Sequence, residues 1–239
     1  MPSPRTRKGL WLLALLALRA TRTQERETLA SLLWPDTDDM TAKANLRRTL
    51  TDLRQALGPD SEMILAPSLT TLCLDTDACD IDLLRFDAAP QKEWTLYQGE
   101  LLEGCREEWV YPERQARQES YLKAREAIAQ ELGNSPAAAE HLEAVLQVDP
   151  LREETARRLM ELLGSSGRVP EALGVYRQLR KSLLERRLTP EPATTALFER
   201  LRKTLGTPSL AVSESPESVA LPAPVTSFFG RQAERDAVL

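Results

Sequence analysis

Hydrophobic positions along residues 41–57 repeat with the spacing of a helix. Leucines stand at positions 46, 50, 53 and 57, and most of the residues between them are polar. Because residues three and four apart share a helix face, this pattern predicts an amphipathic helix with its leucines in a core. The apolar run at residues 7–19 predicts a buried helix before it, and residues 24–33 predict a second helix that ends at Trp34-Pro35.

Residues with special conformational preferences mark the ends of these helices. Thr23 is predicted to cap the second helix, and Thr41 or Asp39 the third, because short polar side chains accept hydrogen bonds from the first helical turn. Gly58-Pro59 is predicted to end the third helix, since both residue types terminate helical segments.

A β-hairpin is predicted directly after the third helix. Two short extended runs, Met63–Leu65 and Thr70–Leu74, flank a turn at Pro67-Ser68. Three helices followed by a hairpin is the element order of a winged helix.

The rest of the chain, from residue 80 to about residue 205, has helical periodicity almost throughout. A long helix is predicted over 112–132, and a helical hairpin over 136–164 turns at Asp149-Pro150. The run Gly164-Ser165-Ser166-Gly167 is predicted to break the chain, and Pro170 to begin the next helix.

Equivalent positions in these helices recur with a fixed period. Ala138 and Ala172 are 34 residues apart, and so are Leu142 and Tyr176. That period is typical of tetratricopeptide repeats, while a generic helical bundle is the alternative. The predicted fold is therefore mainly α: a winged-helix-like three-helix head with a short β-hairpin, followed by a tetratricopeptide-like α-helical repeat domain.

The composition divides the chain into a basic and an acidic part. The 239 residues carry a net charge of −5, but residues 1–58 hold ten Lys or Arg against six Asp or Glu, while the remaining residues have a net charge of −9. A mildly basic head on an acidic body suits a DNA-contacting module joined to a protein-contacting one.

Catalytic and metal chemistry have little support in the sequence. Three cysteines without a CxxC pair indicate a reducing compartment, and His141 is the only histidine. Adjacent carboxylates such as Glu107-Glu108 are typical of solvated helix faces, and they have no glycine-rich phosphate loop or nucleophile motif beside them. The chain is therefore predicted not to be an enzyme and to need no cofactor or metal.

The N-terminus superficially resembles a signal peptide. Basic residues precede the apolar run Leu10–Leu18, but Arg19 ends that run directly and no clear cleavage site follows. Nine apolar residues are also too few to span a bilayer. The apolar run is therefore predicted to be part of a buried helix in a cytoplasmic protein.

The polar face of helix 41–57 carries the candidate functional residues. Side chains suited to DNA lie opposite the leucines of this helix, and such a helix is able to enter a major groove. The alternative for an isolated segment is a solvated surface helix. The candidate DNA-binding residues are Lys43, Arg47, Arg48, Thr51 and Arg54.

Several motifs together resemble one bacterial family. The runs Leu29–Trp34 (LASLLW) and Ala44–Gly58 (ANLRRTLTDLRQALG) resemble the DNA-binding half of the SARP-type transcriptional activators. Further matches resemble the bacterial transcriptional activator domain, and they occur in the order of that family. They are DIDLLRF at 80–86, YQGELLEG at 97–104, EWV at 108–110, DPLREET at 149–155, LMEL at 159–162, GRVPEALGVY at 167–176 and LTPEP at 188–192.

The resemblance implies a domain order and a set of partners. The implied domains are a winged-helix head at 1–78 and an activator domain at 79–205. A flexible linker at 206–225 and a stub at 226–239, which resembles the start of an ATPase module, follow. The resemblance implies binding to double-stranded promoter DNA through helix 41–57, and contact with RNA polymerase or a second copy through the helical domain.

Three departures from the family pattern favour an alternative. The family's small N-terminal β-sheet has no counterpart before the first helix, which is expected to leave apolar faces uncovered. The predicted wing at residues 59–79 has no Lys or Arg, and the ATPase segment stops before any phosphate loop, so no ATP hydrolysis by that route is expected. The alternative is a tetratricopeptide-like protein-interaction module whose DNA-binding head is degenerate.

Overall fold

Three helices and a three-stranded sheet form the N-terminal head. The structure is a computed structural model and describes residues 6–20 and 22–206; the predicted linker after Gly206 and the ATPase-like stub lie outside these residues. The elements of the head are α1 (Arg7–Leu18), β1 (Gln24–Glu25), α2 (Arg26–Leu33), α3 (Asp39–Leu57), β2 (Ile64–Leu65) and β3 (Thr71–Leu74).

The order of these elements confirms the predicted helices and hairpin and adds one strand. β2 and β3 are antiparallel, with Ile64 opposite Leu74, and β1 pairs with the other edge of β3, with Gln24 opposite Leu72. The strand order is therefore β1-β3-β2. β1 has only two residues, which is too few for a periodic pattern to predict a strand. It is recognised only by its pairing with β3.

Both predicted N-caps are wrong, for different reasons. Residues 24 and 25 enter the sheet, so α2 begins at Arg26 and Thr23 lies too far before it to cap it. α3 begins two residues earlier than predicted, and the Asp38 carboxylate accepts a hydrogen bond from the Thr41 amide at 3.0 Å. The predicted end of α3 at Gly58 is confirmed. Gly58 follows the last helical residue and has a φ of 58°.

The core of the head includes side chains from beyond residue 78. Leu12, Leu15 and Leu16 of α1 are buried in one cluster with Cys105, Trp109 and Val110. Residues 101–110, here called the covering segment, therefore contribute to the core that buries part of the apolar side of α1, which the sequence expected to be uncovered. The predicted boundary at residue 78 therefore lies within a single packed core.

One arginine of α5 (Val110–Glu131) holds this covering segment in place. The Arg114 guanidinium donates to the carbonyl oxygens of Leu101 and Leu102 at 2.7 Å and of Cys105 at 3.0 Å. Leu102 has a φ of 52°, a conformation that costs energy for a residue with a side chain. Three hydrogen bonds to one charged group offset that cost.

Paired helices form the rest of the chain. After α4 (Asp82–Ala88) come α5 (Val110–Glu131), α6 (Pro136–Val148), α7 (Glu153–Ser165), α8 (Val169–Glu185) and α9 (Pro192–Gly206). Ala138, Ala172, Leu142 and Tyr176, which the 34-residue period relates, are all buried in the same cluster. The repeat pattern therefore corresponds to equivalent positions in successive helical hairpins.

The predicted break at residues 164–167 is confirmed, although α7 continues through Gly164 as far as Ser165. A side chain at residue 164 would place a Cβ 2.5 Å from the Leu201 Cδ2 atom, so the glycine allows α9 to approach α7. The break comes later, at Gly167, which has a φ of 75°.

The pKa of His141 predicts a loss of stability in mild acid. Its ring lies edge-on to Trp94 at 5.4 Å, and its buried Nδ1 has no hydrogen-bond partner among the described residues. Burial, with a smaller contribution from the Arg125 charge, lowers the pKa of His141 below its ordinary 6.5. The folded chain therefore holds this proton less tightly than the unfolded chain does, and stability is lost as the pH falls from about 6.5 through the lowered pKa. Urea unfolding at pH 7.0, 6.0 and 5.0 measures this loss.

A His141→Gln variant is the control for that prediction, because glutamine does not titrate. The free energy of unfolding of the variant should change less between pH 7.0 and 5.0 than that of the parent chain. Equal slopes in the two proteins would show that His141 does not contribute to the pH dependence.

Candidate nucleic-acid interface

One side of α3 faces solvent and carries most of the predicted site. Lys43, Arg47, Arg48 and Thr51 are exposed, whereas Arg54 is half-buried. The opposite side of the helix is buried against the head, through Ala42, Leu46, Thr49, Leu50 and Leu53. Because α1 and α2 both pack on α3, the polar side is held on a rigid support.

Lys43 lies at the edge of the exposed face, beside α2. Its Nζ is 2.8 Å from the Glu27 Oε1 atom, and both side chains are substantially exposed, at 45% and 69%. The hydrogen bond with Glu27 raises the pKa of Lys43, and the same bond lowers the pKa of Glu27. The Lys43 charge is therefore partly balanced within the head, which distinguishes it from the two arginines that follow.

Arg54 lies at the opposite end of the helix face and contacts the hairpin. Its Nη2 atom donates to the Ile64 carbonyl at 3.0 Å, which ties the last turns of α3 to β2. The sequence grouped Arg54 with Arg47 as a candidate DNA-binding residue. The bond to Ile64 gives Arg54 a part in the packing of the hairpin, so its replacement is expected to disturb the head.

Arg47, Arg48 and Thr51 form the central, outward part of the face. The Arg47 Nε donates to the Lys43 carbonyl at 3.4 Å, and the Thr51 hydroxyl donates to the Arg47 carbonyl at 3.0 Å. These local bonds lie along the helix and leave the face open to solvent. Arginine presents a planar fork of donors that matches guanine edges and phosphate groups.

Two further exposed residues belong to this side of α3. Met40 is 78% exposed in the first turn, and Gln55 is exposed near the end of the helix. The sequence analysis missed Met40 because it began the helix at residue 41. The Asp38 cap, three residues before Thr41, was the sequence signal that would have included it.

The wing differs in chemistry from the helix face. Its tip carries Leu69, which is 95% exposed, and Ser68, whose hydroxyl is 2.7 Å from the Thr71 hydroxyl. Residues 59–79 have no Lys or Arg. The wing therefore offers hydroxyl groups and an apolar tip but no positive charge.

A groove in the helical domain is a candidate surface outside the head. α6, α7 and α8 line a cavity of about 530 Å³ whose wall includes Leu146, Leu159 and Val175. Glu143 and Glu171 stand at the same groove, and Glu171 is paired with Arg168. An apolar groove with acidic residues is suited to a protein partner.

Residues 6–20 and 22–206 contain neither a metal-binding cluster nor a membrane-spanning helix. Within these ranges no three His, Cys, Asp or Glu side chains are grouped so that they could bind a metal ion. None of the helices in these ranges has both the length and the apolar composition that a membrane span requires.

The chain is similar to bacterial transcriptional regulators in its sequence and in its fold. Residues 86–202 match the bacterial transcriptional activator domain. The chain is 28% identical over 250 residues to the regulatory protein AfsR of Streptomyces coelicolor, an alignment that covers 93% of this chain and 25% of AfsR. These matches support the predicted resemblance to the SARP-type transcriptional activators.

A second relative is similar in both sequence and structure. The transcriptional regulatory protein EmbR of Mycobacterium tuberculosis is 26% identical over 226 residues, which cover 82% of this chain and 58% of EmbR. The solved structure of EmbR in complex with a low-affinity phosphopeptide has a TM-score of 0.65 and 25% identity, over 84% of this chain and 60% of that one. The chain thus spans about a quarter of AfsR and a little over half of EmbR. Both relatives are named as regulators, not as enzymes.

Proposed function

We propose that this chain is a DNA-binding transcriptional regulator that reads promoter DNA with α3. The observation that carries the proposal is the exposed polar face of α3, with Arg47, Arg48 and Thr51 at its centre, opposite a fully packed leucine face. An exposed arginine face on a rigid helix distinguishes this proposal from a head whose helix is covered by the body.

The geometry of the helix supports entry into a major groove. α3 has 19 residues, which corresponds to about 28 Å of helix. The major groove of B-DNA is about 12 Å wide and admits one helix with its side chains. In this arrangement Arg47 and Arg48 contact base edges or phosphates, Thr51 contacts the sugar-phosphate backbone, and α2 supports α3 from behind.

Lys43 and Arg54 have secondary roles in the proposal. Lys43 reaches DNA from the α2 side while it keeps its contact with Glu27. Arg54 holds β2 through the Ile64 carbonyl and approaches the DNA backbone at the end of the helix. Both therefore position the groove-facing part of α3 as well as adding positive charge.

The helical domain is proposed to make the protein contacts. We assign DNA binding to residues 1–78 and partner binding to residues 79–205, with RNA polymerase or a second copy of the chain as the partner. The excess of negative charge after residue 58 and the groove between α6 and α8 support this division. A regulator of this kind works in the cytoplasm, where its DNA is.

A protein-interaction module with a degenerate head is the second candidate function. The wing without positive charge favours it, since a wing of that kind does not hold phosphate. The exposed arginines of α3 argue against it, because a head that no longer binds DNA does not need them at its surface.

Fluorescence anisotropy with labelled duplex from the chain's own upstream region tests the proposal. Saturable binding that resists random-sequence competitor DNA is expected. If about 3 to 5 phosphates are contacted, log K should fall with log salt with a slope of about −3 to −5. A folded, monodisperse sample that does not bind would exclude the regulator and leave the interaction module.

A further inference from the structure

We infer that the head has a second phosphate-binding site, at the end of α1 and the start of α2, which holds the DNA backbone in place of the wing. The site is formed by Arg19, Arg22 and the first turn of α2, here called the connecting site. This inference rests on the proposed function, because its ligand is the sugar-phosphate backbone of the DNA that α3 reads.

The wing itself is unsuited to that task. Its residues 59–79 carry four acidic side chains and no basic one, and Leu69 at its tip is 95% exposed. Phosphate groups are held by Lys, Arg, hydroxyl and backbone N–H donors, and the charged donors supply most of the affinity. A head with this wing needs positive charge from another element beside the sheet.

The connecting site lies directly beside the wing. Gln24 pairs with Leu72 in the sheet, and the Arg26 amide donates to the Thr70 carbonyl, at the end of the wing loop, at 2.7 Å. On its other side, Glu27 of the same turn contacts Lys43 of α3. The connecting site therefore lies between the wing and the helix that is proposed to enter the groove.

Hydrogen bonds within the segment hold its two arginines together. The Gln24 side chain is buried, accepts a hydrogen bond from the Arg19 Nη1 atom at 3.3 Å and donates to the Arg22 carbonyl at 3.2 Å. The Arg22 amide donates to the Arg19 carbonyl at 3.0 Å. This turn places both arginines at the rim of one cavity.

That cavity has the size and the donors that a phosphate group needs. It measures about 570 Å³, and Thr23 and Thr28 line it together with Arg19 and Arg22. Two guanidinium groups and two hydroxyls in one recess are the donors that sequence-independent phosphate contacts use.

One acidic side chain at this cavity repels a phosphate group. Its removal is therefore expected to change DNA affinity in the direction opposite to removal of an arginine. Glu25 lines the same cavity and is exposed, so its charge repels a phosphate that binds there. Removing this charge is expected to strengthen DNA binding, while removing Arg19 or Arg22 is expected to weaken it. A site that does not contact DNA would show neither effect.

The experiment measures the affinity of the full chain for promoter duplex and for random duplex across a salt series. Arg19→Gln/Arg22→Gln is expected to lower both affinities by roughly tenfold or more at 0.1 M salt and to reduce the salt slope by about 1 per arginine. The ratio of promoter to random affinity should stay unchanged, since phosphate contacts carry no base information. Glu25→Gln should raise both affinities several-fold.

A matched variant controls for net charge. Arg180→Gln/Lys181→Gln removes two exposed positive charges from α8, in the helical domain, and should leave both affinities and the slope unchanged. If the parent chain binds its promoter and the Arg19/Arg22 variant keeps the salt slope of the parent, the inference of a phosphate-binding connecting site is wrong. The proposed function would still stand. If the parent binds no DNA, both fail.

Discussion

Replacing Arg47 and Arg48 together by alanine is expected to weaken specific promoter binding by about 2 to 6 kcal/mol, which is roughly 30-fold or more. Both side chains are exposed at the centre of the α3 face and neither belongs to the head core. Each substitution removes a bidentate hydrogen-bond donor. One well-placed contact between an arginine and a guanine contributes about 1 to 3 kcal/mol of discrimination between bases. Anisotropy titrations with promoter and random duplex measure the loss.

The stability of the double variant shows whether weaker binding comes from lost DNA contacts or from unfolding of the head. Because alanine favours a helix and both positions are exposed, the melting temperature should stay within a few degrees of the parent value. The Arg54→Ala variant is the informative comparison, since it also breaks the bond to the Ile64 carbonyl and should lower the melting temperature. Parental discrimination between promoter and random DNA in the Arg47/Arg48 variant would show that α3 is not the reading helix.

Trp109→Ala is expected to destabilise the chain by about 3 to 5 kcal/mol and to abolish DNA binding with it. The indole is only 9% exposed and is buried in the same cluster as Leu12 and Leu16 of α1. Removing it leaves a large cavity beneath the helices that support α3. Urea unfolding followed by circular dichroism gives the stability, and anisotropy gives the binding.

Two variants control the Trp109 prediction. Tyr111→Ala changes an aromatic residue two positions away that is 53% exposed, and its cost should be below about 1 kcal/mol. Trp109→Phe should cost less than the alanine change, since it keeps most of the apolar volume and removes an Nε1–H that has no partner among the described residues. Equal losses for Trp109→Ala and Tyr111→Ala would refute the idea that the covering segment completes the head.

This packing also links the two parts of the chain. Val110 begins α5 and is fully buried in the cluster that includes the head. Arg114, one turn further along α5, holds the covering segment through three carbonyl oxygens. A fragment that ends at residue 78 would therefore lack part of its own core and should be less stable than the full chain.

The sequence by itself determined the helices, the repeats and the exposed face of α3. Helical hydrogen bonds join residues four apart, so the leucines at 46, 50 and 53 show both the helix and its buried side. The 34-residue period likewise predicted that Ala138 and Ala172 are equivalent, and both are buried in one cluster. These features depend on local spacing, which a sequence displays directly.

Only the tertiary structure decided which partner each local segment has. β1 exists because Gln24 meets Leu72, the Arg54 guanidinium is engaged because β2 passes beside it, and Trp109 completes the head from beyond the predicted boundary. These contacts join residues that are far apart in the chain, and their energies depend on packing rather than on neighbouring sequence. The arginines of the connecting site acquire their proposed role in the same way, because the sheet places them beside a wing that has no positive charge.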